Sequence, residues 1–414
     1  MEKVSIKSEI GRLRKVIVHE PGQEIEIMTP KNSNDLLYDD ILSLHYAKKE
    51  HKEFTDILKM HSETYFIKDL LKDIVADNYV RETLLRSLIK EMNSTLFLLD
   101  EMMMLDSDTF TNMLINGVKK QNNSLKDILS IDLYALPPLP NFIYTRDSAI
   151  AINDCILTGS MANKIRTAES IIMHNIFSHH QELKPNGFYL QKDNGFDINI
   201  QFEGGDILIL RDDVLAIGIS ERTNADAVDL LVEKLKEKGK IKHVFAIIMP
   251  KERAMIHLDM IFTMIDKNYC VVYEPVILGK DKLGVIHIEI KEDNNKYSKE
   301  RDILQALKKV GIELEPVLCG GTDKLHQERE QWMCGANYFT MAPGKIIGYS
   351  RNIRTFEQLD KVANMPRIEA QDVINGKVNL ANYERYAIAI NGAELSRGGG
   401  GARCMTMPVL RDDV

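Results

Sequence analysis

Ser396-Arg397-Gly398-Gly399-Gly400-Gly401-Ala402-Arg403-Cys404-Met405 is the stretch from which the rest of this chain is read. Four consecutive glycines, lacking Cβ atoms, let a backbone take unusual dihedral angles and pass close to a ligand. A cysteine follows them directly, with an arginine on either side of the run. The thiolate is the reactive form of cysteine, and nearby cations favour it. In isolation the stretch reads equally as a nucleophile loop or as a glycine-rich surface turn carrying a bystander thiol.

Moving outward, other segments combine residue types suited to chemistry. His257-Leu258-Asp259 interrupts an apolar run, Met255–Asp266, whose composition predicts a strand. There residues i and i+2 would share a face, and a histidine beside a carboxylate is a natural acid/base unit. A structural polar pair on an edge strand is the alternative. Phe202-Glu203-Gly204-Gly205-Asp206 places two glycines after a carboxylate, where a chain bends or is closely approached; a tight acidic hairpin is the other reading. Asn141-Phe142-Ile143-Tyr144-Thr145-Arg146-Asp147 gathers an amide, aromatics, a guanidinium and a carboxylate in seven residues. Such loops bind polar ligands or simply pair their own charges. Arg166 and Arg222 stand near helix starts or loop ends, and each alone reads as a surface cation.

Composition narrows the class. With 414 residues the chain can bury a large core in one to three domains. A net charge of −8 argues against nucleic acid or an anionic membrane as partner. Five widely spaced cysteines without a Cys-x-x-Cys pair suggest neither a zinc ladder nor a disulfide framework, and suit a reducing cytoplasm. Cys155, Cys270 and Cys319 lie in apolar segments and read as inert buried thiols; the surroundings of Cys334 are mixed. No apolar leader and no run of membrane-spanning length is visible.

A β-rich opening around Lys15–His19 gives way at about 42 to a glycine-poor region with helical apolar spacing, such as Leu84, Leu85, Leu88, Ile89 and Met92. Breaks at Asn78, Asn93-Ser94 and Asp106–Asp108 divide it into short helices. Pro137-Pro138-Leu139-Pro140 closes it. Beyond lie short strands (Ser148–Ile152, Cys155–Thr158, Ile198–Gln201, Ile207–Leu210, Val214–Ile217, Val244–Met249, Cys270–Tyr273, Tyr338–Met341, Lys345–Gly348) and helices (Ala162–Phe177, Ala225–Lys238, Ser298–Val310). The expected class is α/β, with a recurring hairpin-then-helix rhythm.

Taken in order, Asn141…Tyr144-Thr145-Arg146-Asp147, Glu203-Gly204-Gly205-Asp206, Ser220-Glu221-Arg222-Thr223, His257-Leu258-Asp259 and Arg397 through Cys404-Met405 resemble the arginine deiminases of the guanidine-modifying superfamily, across essentially the whole chain. The resemblance implies a five-bladed α/β propeller, the pentein, formed by 1–41 and 135–414, with 42–134 an inserted small helical bundle. It implies hydrolysis of free L-arginine to L-citrulline and ammonia. Cys404 would be the nucleophile, His257 the acid/base, and Glu203 its holder. Asp147 and Asp259 would clamp the guanidinium. Asn141, Arg166 and Arg222 would hold the substrate carboxylate, with Arg397 or Arg403 helping. Tyr144 and Ser148 stand where the family usually has phenylalanine and proline, so the Tyr144 hydroxyl would alter packing beside the guanidinium. No metal or organic cofactor is implied, and a cytoplasmic homo-oligomer, dimer or tetramer, is expected. Competing readings are a dimethylarginine hydrolase or amidinotransferase, an inactive binding protein of the same fold, and a cysteine protease.

Overall fold

The computed structural model describes residues 3–92, 97–120, 125, 134–190, 200–280 and 282–414. It is a mixed α/β protein built on one repeated unit: an antiparallel strand pair, a helix, and a third strand parallel to the second. Parallel neighbours need a crossover, and a helix is the usual one. Ala149–Ile152 and Cys155–Thr158 pair antiparallel, and the helix Thr167–His179 leads to Gly187–Phe188. Ile207–Arg211 and Val214–Ile219 are followed by the helix Ala225–Lys238 and by His243–Ile248. Phe262–Asp266 and Tyr269–Val272 are joined by Glu315–Leu318, and Phe339–Ala342 and Lys345–Tyr349 by Tyr386–Ile390.

The fifth unit is assembled from segments far apart in sequence. Met407–Arg411 pairs antiparallel with Leu13–Val18, and the helix Leu44–His61 returns the chain to Glu63–Phe66, parallel to Leu13–Val18. Leu13, Val16, Ile17 and Val18 are fully buried, as the apolar run predicts. The helix Ala225–Lys238 shows why these helices stop and start where they do. The Asn224 side chain accepts from Ala227 N–H at its start, and left-handed Gly239 ends it.

The helical region has no core of its own among the described residues. Leu70, Leu84, Leu88 and Phe110 join one cluster with Ile150, Ile156, Ile172, Leu215 and Val244. Ala47, Phe54 and Ile57 of the helix Leu44–His61 pack instead with Ile347, Ile388 and Leu395. The expected break at Asn93-Ser94 and part of Ile198–Gln201 lie outside the described residues.

Two expectations are corrected. Met255–Asp266 is not one strand: single turns at Arg253–Met255 and Leu258–Met260 precede Phe262–Asp266. The segment is buried throughout its second half, so its apolar run reflects burial rather than extension. Ser298–Val310 is not one helix. Lys296–Glu300 is the edge strand of a five-stranded sheet, and the helix begins at Ile303, capped by Asp302.

Candidate active site

Short turns precede the first strand of every unit and meet at one place. Thr145–Ser148 carries Asp147 into Ala149–Ile152. Gly204–Asp206, with Glu203 before it, leads into Ile207–Arg211. Leu258–Met260 carries Asp259, with His257 at its N-cap, into Phe262–Asp266. Cys404 stands three residues before Met407–Arg411, and Asn337 two before Phe339–Ala342. His257 and Asp259 therefore converge through a turn, not through strand alternation.

Cys404, His257, Glu203, Asp147 and Asp259 are all buried and adjacent. His257 Nε2 lies 3.0 Å from Glu203 Oε2, and Nδ1 3.8 Å from Asp147 Oδ1. The Cys404 thiol points at Asp259 Oδ2, 3.7 Å away. Each clamp carboxylate has one oxygen committed to an arginine: Asp147 Oδ2 accepts from Arg166 at 2.7 Å, and Asp259 Oδ2 from Arg403 at 2.8 Å. The other oxygen of each, Asp147 Oδ1 and Asp259 Oδ1, is buried without a hydrogen-bond partner. Buried carboxylate oxygens are rarely left so. Gly205 is required here, because a Cβ would stand 2.6 Å from the His257 ring and 2.9 Å from Asp147 Oδ1.

The arginines divide. Arg222 lines the cavity beside Cys404, and its guanidinium makes a long contact, 3.5 Å, to Glu203 Oε1. Arg166 also lines it, but Glu169, Asp147 and the carbonyls of Asn141 and Tyr144 occupy its donors. Arg403 turns inward, gripping Asp259 with Nη1 and Glu9 with Nε and Nη2. Arg397 faces outward to Asp40 and Glu394. Neither faces the cavity that holds Cys404. Asn141 donates to Leu36 C=O at the cavity wall. The Tyr144 ring lies against the backbone of Gly398 and Gly400. Arg253, which the sequence reading did not single out, lines the same cavity while bonded to Asp39 and to Leu37 C=O. A lone arginine after Glu252 carries no local signal of that role. The enclosed space is about 20 Å³, close to room for one water.

Charge is finely placed. Burial pushes the Cys404 thiol well above its ordinary pKa, and the Asp259 and Asp147 charges push it further. Burial opposes protonation of His257, yet Asp147, the Glu203 hydrogen bond and Asp206 together raise it to about 9. Glu203 is held low: burial acts against its charge, and His257, Arg222 and Arg166 outweigh it. At neutral pH the resting pair is a thiol and an imidazolium. Among the described residues one trio of metal-capable groups, Asp147, Glu203 and His257, lies within 4.8 Å. Of its oxygens, Asp147 Oδ2 already serves Arg166 and Glu203 Oε2 serves His257.

The sequence profile of the arginine deiminase family matches residues 34–411. The arginine deiminase of Borrelia garinii subsp. bavariensis is 33% identical over 434 residues, covering 99% of this chain and 98% of its own. That of Listeria monocytogenes serovar 1/2a is 32% identical over 426 residues with the same coverage. In three dimensions the chain is similar to an amidinotransferase from Microseira wollei (TM-score 0.55, 12% identity, 100% of this chain, 98% of that one). It is also similar to a dimethylarginine dimethylaminohydrolase from Pseudomonas aeruginosa complexed with citrulline (TM-score 0.51, 12% identity, 96% and 99%). At such identities these two likenesses bear on fold alone.

Proposed function

The chain belongs to the arginine deiminase family, and from that premise we propose that it hydrolyses free L-arginine to L-citrulline and ammonia through a covalent Cys404 intermediate. The observation that carries the reading is the pair of buried, unpartnered oxygens on Asp147 and Asp259 flanking the Cys404 thiol and His257. A guanidinium is planar, cationic and rich in donors, and two carboxylates match it by charge-assisted hydrogen bonds.

The charge of the docked guanidinium offsets the two carboxylates that suppress ionisation of Cys404, so the thiol gives its proton to solvent as substrate docks and the thiolate forms in place. The sulfur attacks the central carbon, and imidazolium His257 gives its proton to the departing nitrogen, which leaves as ammonia. The resulting S-alkylthiouronium is attacked by water. His257, now neutral, takes one proton of the water; the C–S bond breaks, the remaining O–H proton passes to the departing sulfur, and citrulline leaves with the Cys404 thiol and imidazolium His257 restored, the proton released on docking being taken up by ammonia. Glu203 keeps His257 oriented and favours its charged form. Arg222, with Asn141 beside it, is the cation best placed for the substrate's carboxylate. Arg166 acts mainly by holding Asp147, and Arg403 by holding Asp259.

In the same reading the five hairpin–helix–strand units are the blades of a pentein propeller. Leu44–Phe66 belongs to the fifth blade, and the helices that follow, up to 134, form the insertion. A cytoplasmic homo-oligomer, dimer or tetramer, belongs to the reading and is tested by analytical ultracentrifugation. The activity is tested by incubating the purified protein with L-arginine, agmatine and dimethylarginine and measuring ureido product and ammonia. Turnover of arginine alone is expected. Equal turnover of agmatine, which lacks the carboxylate, would move the protein to a different branch of the superfamily, and no citrulline from arginine would overturn the assignment.

A further inference from the structure

Four of the five turns that meet at the site supply the residues already assigned; the fifth supplies Asn337, which is 1% exposed. Resting on the proposed function, we propose that Asn337 is a positioning residue that fixes the nucleophile loop to the guanidinium clamp. Its Oδ1 accepts from the backbone N–H of Arg403 at 3.0 Å and of Cys404 at 3.2 Å. Its Nδ2 donates to the Asp259 carbonyl at 3.2 Å. Both backbone amides require an acceptor and the carbonyl requires a donor, so a flipped amide would lose all three bonds. One side chain thus sets the place of the attacking sulfur relative to the carboxylate that grips its target.

The turn that presents Asn337 is itself anchored. Cys334 takes a left-handed conformation, φ 61°, and Asn337 N–H closes back on its carbonyl at 3.0 Å. Gly335 N–H bonds to Glu330 C=O at 2.7 Å, and Thr263 Oγ1 donates to Ala336 C=O at 2.6 Å. On the facing side Gly401 is needed for contact: a Cβ there would stand 2.6 Å from Asn337 Oδ1 and 2.8 Å from its Cβ. The last glycine of the run is therefore explained by the approach of Asn337, not by loop mobility. Asn337 touches no reacting atom in this arrangement and acts through Cys404 and Asp259.

The test uses three variants of the full chain, Asn337→Leu, Asn337→Asp and Gly401→Ala. For each, kcat and KM for L-arginine, the pH profile of Cys404 alkylation by iodoacetamide, and the thermal midpoint are measured. Displacing a reacting group by about 1 Å costs on the order of 100-fold in rate, so Asn337→Leu and Gly401→Ala should lower kcat by about that factor, with KM within about threefold. Asn337→Asp keeps an acceptor for both amides and should recover about tenfold of the loss. Its added carboxylate should move the alkylation profile to higher pH, a change that loss of stability alone does not produce. A folded Asn337→Leu or Gly401→Ala with parental kcat would overturn the proposal, as would an Asn337→Asp alkylation profile coincident with the parent's. Should Asn337→Leu not fold, the other two decide. A parent that does not deiminate arginine would sink the proposed function, while the alkylation profiles would still read out the role of Asn337.

Discussion

Asp147 and Asp259 each turn one oxygen to a buried arginine and leave the other without a hydrogen bond. This arrangement has two opposed consequences for their variants. Asp147→Asn or Asp259→Asn should cost on the order of 3 kcal/mol or more in transition-state stabilisation, read as kcat/KM for arginine. The same changes remove a charge that holds the free thiol protonated, so alkylation of Cys404 should shift to lower pH even as turnover is lost. Unchanged profiles would show that the carboxylates do not govern the sulfur. Cys404→Ala should abolish both turnover and covalent trapping of substrate. His257 adds a pH dependence of stability. Folding raises its pKa from 6.5 to about 9. Its contribution is fully present below the unfolded value and is lost as pH rises through about 9. The stability difference between the parent and His257→Gln, measured by urea denaturation, should be widest near pH 6 and shrink toward about pH 9.5.

At the scale of elements, the site is built from turns, and this is where the sequence was least legible. The strands Cys155–Thr158 and Val214–Ile219 and the helix Ala225–Lys238 follow from burial pattern and capping. The turns at Arg253–Met255 and Leu258–Met260 do not, because a buried turn and a buried strand show the same apolar letters. His257 and Asp259 stand out in the sequence by residue type, but a turn and not strand alternation brings them together. The distant partners of Arg397 and Arg403 are illegible for another reason: Asp40 and Glu9 lie 357 and 394 residues away in sequence. Two such long-range ties close the rim. Arg253 binds Asp39 and Leu37 C=O, and Arg397 binds Asp40. Leu37 and Arg253 line the cavity that holds Cys404, so these ties bear on access to the thiol. The pair Asp39→Ala and Asp40→Ala, combined, should raise the alkylation rate of Cys404 several-fold with little change in thermal midpoint, since exposed ion pairs contribute about 0–1 kcal/mol each. A parental alkylation rate would show that these ties do not limit access.

For the whole molecule, the order of motifs along the chain was readable from sequence and their sharing of cores was not. The helical spacing of Leu84, Leu88 and Ile89 announces helices, but it cannot say that these side chains pack into a cluster with Ile172, Leu215 and Val244. That sharing ties the helical region to the sheets behind it, so the two are expected to unfold together. Leu84 is fully buried, and Leu84→Ala should destabilise the protein by about 2–5 kcal/mol. The loss should appear in one transition, with the same shift by circular dichroism and by fluorescence of the single tryptophan, Trp332, which lies in a different part of the chain. Separate transitions would show that the helical region folds on its own.

The suppressed thiol of Cys404 also bears on chemical ageing. Peroxide and dissolved oxygen attack thiolates, and their selectivity follows ionisation and exposure. Burial raises the pKa of Cys155, Cys270 and Cys319 and takes Cys334 to about 12; Cys404 between turnovers is no more ionised. The resting protein thus presents no ready thiolate at neutral pH, and a reactive sulfur exists only while a substrate covers it. Stored in air without a reductant, the protein should keep its activity and its five titratable thiols, where an enzyme with a standing thiolate would lose both.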